Sequence, residues 1–179
     1  MAVFVAMLVP SGAHGATPIK ACGTLIKTSG AYVVTKNLTV KKGTIGSPCI
    51  AVTANYVSLD LGGFTINCGG ADVLGIVADN TAGLIVRNGI VIGCDSGLAA
   101  SGNASGILAD GLMTLSNRLP GIGFTRGNAI FRSLSNDNGT GLDIECPSSV
   151  IDDTALGNRS DLDFPFGMSG CSVFNVLHE

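Results

Sequence analysis

A chain of 179 residues with 26 glycines, no tryptophan, two tyrosines and 13% charged residues has material for one domain, and too few bulky side chains for a thick core. Its formal charge of −3, with lysines and arginines that read as scattered, argues against a surface dedicated to nucleic acid, which needs clustered cations to neutralise phosphates.

Residues 1–16, MAVFVAMLVPSGAHGA, carry an apolar run from Ala2 to Val9, a Pro-Ser-Gly break and the small residues Ala13 and Gly15. This is the pattern of a secretory signal peptide, so the mature domain is expected over 17–179, with an N-terminal structural strand as the alternative. No other segment approaches the roughly 18 consecutive apolar residues of a membrane span, and the mature protein is expected to be soluble and secreted or periplasmic.

From residue 38 onward the sequence repeats. Leu38-Thr39-Val40, Phe64-Thr65-Ile66 and Ile90-Val91-Ile92 follow one another at intervals of 26. Ile50, Ile76 and Ile107 form a second series at 26 and 31, while Val57-Ser-Leu59-Asp-Leu61 is matched by Leu84-Ile-Val86 and more weakly by Met113-Thr-Leu115. Each segment is short, alternating and rich in β-branched residues, as strands are. Gly62-Gly63 and Asn88-Gly89 fall between them, where a turn needs residues that tolerate positive φ. A fixed period of this length brings equivalent strands side by side and parallel, so the chain winds as a coil. Residues 95–105 are expected to lengthen one turn by five residues. The stretch 116–128, with Arg118, Arg126 and a Phe124 expected at the surface, is the least repetitive and reads either as a functional loop or as a degraded coil.

Val57-Ser-Leu-Asp-Leu-Gly-Gly-Phe-Thr-Ile66 followed by Leu84-Ile-Val-Arg-Asn-Gly-Ile90 resembles the repeats of secreted bacterial β-helix proteins of the pectin-lyase-like superfamily. The stretches 146–158 and 170–175 resemble the closing coils of the same proteins. The resemblance implies an all-β fold, a single-stranded right-handed parallel β-helix of five or six coils of roughly 26 residues. In it Phe64, Ile66, Ile90 and Ile92 would point inward. Adjacent parallel strands lie about 4.8 Å apart, within the reach of a disulfide. Cys68 is therefore expected to pair with Cys94, and Cys146 with Cys171 at a spacing of 25. Cys22 and Cys49 remain as the third pair, the alternative being columns of free buried cysteines. Six cysteines without a C-x-x-C or a Cys/His cluster favour disulfides over zinc.

Relatives with this fold often act on acidic polysaccharides, using carboxylates around calcium with a basic residue, or two or three neighbouring aspartates. The candidates here are Asp152, Asp153, Asp161 and Arg132, with Asp161 and Asp163 at same-face spacing. The competing reading of these residues is a solvated turn. Histidines occur only at 14 and 178, so a Ser-His-Asp triad cannot be assembled in the mature domain. The sequence therefore reads as an exported, non-catalytic module that binds carbohydrate or another surface ligand. The alternatives are a small polysaccharide lyase or glycoside hydrolase, for which calcium would enter with the lyase chemistry, and a structural protein that self-associates end to end.

Overall fold

The computed structural model describes residues 15–41, 46–70, 72–165, 167 and 169–178, so residues 1–14 of the expected signal peptide lie outside the described residues. Short alternating segments become strands, and every strand pairing is parallel. They stack into three faces of a parallel β-helix. The first face holds β1 (Thr17–Ile19), β3 (Gly30–Val34), β6 (Val57–Asp60), the first half of β9 (Ile85–Ile92), the first half of β11 (Leu108–Leu115), β13 (Ala129–Phe131), β16 (Ser149–Ile151) and β19 (Ser172–Phe174). The second holds β4 (Leu38–Thr39), β7 (Thr65–Asn67), the remaining halves of β9 and β11, β14 (Leu134–Asn136), β17 (Thr154–Leu156) and β20 (Leu177–His178). The third is a separate sheet of β2 (Thr24–Ile26), β5 (Ile50–Val52), β8 (Ile76–Asp79), β10 (Leu98–Ser101), β12 (Pro120–Phe124), β15 (Thr140–Ile144) and β18 (Ser160–Asp163), whose seven strands mark about six turns. No helix occurs among the described residues, and so none is long and apolar enough to cross a membrane.

The core is a set of inward columns. Leu59, Val86, Ala109, Ile130 and Val150 stack on the first face, and Ile50, Ile76, Leu98, Ile122 and Leu142 on the third. All ten are buried, and each full-sized aliphatic among them contributes about 1.5–3 kcal/mol by leaving water. On the second face Ile66 lies opposite Val91, one residue short of the expected Ile92. Ile90 and Ile92 consequently point outward and are half-buried, as is Phe64. The slip arises at the corner between the first and second faces. One coil turns there through Gly62 and Gly63, both at positive φ, and the next through Asn88 alone at φ 57. The repeat is therefore 27 residues on the first face, from Leu59 to Val86, and 25 on the second, from Ile66 to Val91.

The period then contracts. Leu98, not Ile107, continues the column of Ile50 and Ile76, after 22 residues, and Ile122 and Leu142 follow after 24 and 20. Residues 95–105 thus contain a strand of a shorter coil, with no inserted loop. Met113 and Leu115 stand beside Ile90 and Ile92, whereas Leu108–Asp110 stand beside Ile85–Arg87. The stretch 116–128 is a corner plus β12, and Phe124 is inside at 4% exposure. A shorter perimeter leaves less room inside, and small polar residues replace large aliphatics. Thr114 and Ser135 share a hydrogen bond of 2.9 Å in the core, and no described buried side-chain nitrogen or oxygen lacks a partner.

Three disulfides tie neighbouring coils: Cys22–Cys49, Cys68–Cys94 and Cys146–Cys171, with Cα separations of 4.1, 4.8 and 5.0 Å. These are the pairs that the spacing predicts, and no cysteine is free.

Candidate functional site

The four charged candidates do not meet in one cleft. Asp153 is buried at the first corner, where Oδ1 accepts the Ser133 N–H at 2.7 Å and Oδ2 the Ile151 N–H at 3.0 Å. Burial pushes its carboxyl up to about 6, against the pull of those two N–H groups. Asp152 is the exposed αL residue beside it and accepts the Asn175 side-chain amide at 2.7 Å. Arg132, one coil earlier, is engaged by Asp110 through Nε at 3.0 Å and Nη2 at 2.5 and 2.7 Å, and this contact raises the guanidinium pKa further. Asp161 lies at the second corner, buried, with Oδ1 accepting both the backbone and side-chain N–H groups of Asn158. Asp161 and Asp163 do not share a face, since β18 begins at the corner and only Asp163 emerges on the outside. Asp152, Asp153 and Asp161 thus each accept hydrogen bonds from their own turn or from a neighbouring coil, as structural aspartates do.

Another acidic row lies on the third face. Asp143 and Asp163 are register partners on β15 and β18, and Glu145 stands two residues beyond Asp143. Burial, then Asp163 and Glu145, raises the Asp143 carboxyl above its ordinary range. Asp143 and Glu145 border a shallow cleft of about 240 Å³ with Ala99, Ala100, Gly123 and Thr125. Among the described residues no three His, Cys, Asp or Glu side chains are placed to hold a metal ion.

The larger outer groove, about 600 Å³, runs along the second corner across five coils. Its floor is set by an asparagine ladder. Asn117, Asn138 and Asn158 succeed one another at 21 and 20 residues, each reaching back to the coil before it. Before each stands a residue at positive φ, Ser116, Asp137 or Gly157, which turns the chain, and the first two put their side chains on the rim. Ser116 Oγ donates to Asp137 Oδ2 at 2.8 Å. Arg118 Nε donates to Asp95 at 2.7 Å, with Nη2 3.5 Å from Asp72, and the Asp95 hydrogen bond raises its pKa. Arg159 also lines the groove, and no carboxylate among the described residues pairs with its guanidinium. Compared with known proteins, the chain matches no family model, no curated protein and no solved structure.

Arg118 belongs to the irregular stretch that the sequence singles out. Asp137, Asn138 and Arg159 were missed by apolar periodicity, as were Asp143 and Glu145. Their signal is polar: Ser135-Asn-Asp-Asn-Gly-Thr-Gly-Leu-Asp143 and Ala155-Leu-Gly-Asn-Arg-Ser-Asp-Leu-Asp163 align at a period of 20.

Proposed function

We propose that this chain is an exported, non-catalytic β-helix module that binds carbohydrate along the second-corner groove. The observation that carries the reading is the groove itself, a long polar trough whose rim alternates donors and acceptors on backbone fixed by the asparagine ladder. A rigid rim loses little entropy on binding a hydroxyl-rich chain. Arg159, without a carboxylate partner among the described residues, suits a uronate or another acidic sugar. The sequence resemblance to β-helix proteins that act on polysaccharides favours the same ligand class, and three disulfides suit an oxidising compartment outside the cytosol.

The test is binding of the oxidised chain to neutral and uronic-acid oligosaccharides by calorimetry, beside Arg159→Ala and Ser116→Ala. Loss of Arg159 is expected to weaken acidic ligands at least about tenfold while sparing neutral ones, the effect of removing one charge-assisted contact. Equal affinity in both variants would move the site away from the groove. The paired carboxylates Asp143 and Asp163 favour one competing reading, a small glycoside hydrolase, and release of reducing ends that Asp143→Asn abolishes would replace the non-catalytic reading.

A further inference from the structure

The charges of this chain are segregated along the helix axis. No Asp or Glu occurs before Asp60, and all five lysines fall between 20 and 42; from Asp60 onward there are 13 acidic residues and five arginines. The lysines are thus not scattered: they sit on the first coils. From Asp143 to the last residue there are seven carboxylates and one arginine, Arg159, with Glu145 reached in addition by Arg126 from the preceding coil. Four of the arginines are in ion pairs, but none of the described lysines is. One end of the column is basic and unneutralised, and the opposite end is acidic.

The basic end also has a shape. In the first coil the chain crosses from β1 to β2 through residues 20–23 without laying a strand on the second face. That leaves β4 as the first strand there, paired with β7 on one side and with no described strand on the other. The exposed side forms a cleft of about 480 Å³, with buried Leu38 and Val40 in its wall and Lys20, Lys36 and Lys41 around it. Residues 1–14 contain no carboxylate. At the acidic end β20 is the last strand of the same face, paired only with β17, and Phe174 and Leu177 are 70% and 59% exposed.

We propose that copies of this chain stack head to tail, the acidic carboxyl-terminal coil of one against the lysine-rimmed cleft of the next, with β19 adding in parallel to the open edge of β1, which pairs only with β3, and β20 lying over the mouth of the cleft. Strand addition satisfies the backbone groups of both edges, and opposite charge fixes the polarity of stacking. The surfaces that meet are different, so the contact is heterologous and repeats as an open filament. This inference is independent of carbohydrate binding, which uses the flank of the column.

Sedimentation velocity and electron microscopy of the oxidised chain test it. Concentration-dependent growth into filaments is expected at low ionic strength, with reversal near 1 M salt, where the screening length falls to about 3 Å. A Lys20→Glu/Lys36→Glu/Lys41→Glu variant and an Asp152→Lys/Asp163→Lys variant should each remain monomeric, with the far-UV circular dichroism of the parent. Mixed together they should co-assemble into filaments in which the two variants alternate, because the unchanged end of each meets the unchanged end of the other and the reversed ends also complement each other. A parent that stays monomeric at every salt concentration overturns the proposal. So does assembly unaffected by the lysine substitutions, or assembly abolished only by Met113→Glu on the flank. Heparin binding by a monomeric parent, lost in the lysine variant, would instead give the cleft to an anionic glycan.

Discussion

Asn138 Oδ1 accepts two hydrogen bonds from Asn117 one coil earlier, 2.9 Å from its backbone nitrogen and 2.8 Å from its side-chain amide. The Asn138 amide in turn donates to the Thr114 carbonyl at 3.1 Å and to Asn158 Oδ1 at 3.1 Å. One side chain thus links three successive coils at 5% exposure. Asn138→Ala leaves several of these buried groups unpaired, at about 1–3 kcal/mol each, and a loss of about 3 kcal/mol or more is expected in urea unfolding. A loss under about 1 kcal/mol would mean that water or a neighbouring group replaces the ladder contacts.

A second column is made of glycines. A Cβ at Gly121 would be driven into the hydroxyls of Thr114 and Ser135 and to 2.8 Å from Asn138 Nδ2. None of these groups can withdraw without breaking the ladder, so Gly121→Ala should cost about 3 kcal/mol, at the upper end of overpacking. Gly127 is the contrasting case, with nothing within 4 Å of an added Cβ but a φ of 75°. Gly127→Ala should therefore cost only the left-handed backbone penalty of about 1–2 kcal/mol. Midpoints of thermal unfolding for the two variants, measured side by side, check the difference.

The parts of the fold legible in the sequence are those written in apolar residues. Ile50, Ile76, Leu59 and Val86 recur at 26 or 27 because wide coils must be filled by large aliphatics, and the column of cysteines follows the same interval. From β10 onward the coils shrink and the repeat passes to Asn, Ser, Gly and Asp, so a search for apolar periodicity carried the wide period too far and placed Ile107 in the wrong column. The one-residue slip at Ile92 had another cause: the corner occupied by Gly62 and Gly63 is shortened to Asn88 in the next coil, which strand patterns alone do not encode. The charged candidates were chosen by adjacency in sequence, and their roles are decided by which of them turn into a corner. Asp153 and Asp161 do so, whereas Asp143 and Asp163 stay outside.

The disulfides should differ in reach more than in strength. Their separations of 27, 26 and 25 residues give nearly equal loop entropies, about 3.5 kcal/mol each in the chain-entropy model. A coil inside a solenoid is held from both sides and a terminal coil from one. Cys146→Ala/Cys171→Ala is accordingly expected to raise amide exchange over 146–178 by local opening, with the earlier coils little changed. Cys68→Ala/Cys94→Ala should instead lower the global unfolding midpoint. Exchange mass spectrometry on both variants distinguishes these outcomes, and a uniform rise in exchange for the first would contradict the nearest-neighbour picture.

Asp153 gives the protein a pH dependence of known sign. Its carboxyl titrates at about 6 in the folded chain and near 3.9 when unfolded, so between those values the folded state binds more protons. Below about pH 4 both states are protonated and the full relative benefit is present. Stability should then fall as pH rises from about 4 to 6 and level off above, by no more than about 3 kcal/mol for a shift of roughly two units. Asp153→Asn removes the titration while its carbonyl oxygen still accepts the Ser133 N–H, at the loss of the acceptor for Ile151. The variant should show a flatter profile across the same window, measured by urea midpoints at half-unit steps. A parent whose stability rises through pH 4 to 6 would mean that the two N–H bonds outweigh burial and hold the carboxylate ionised.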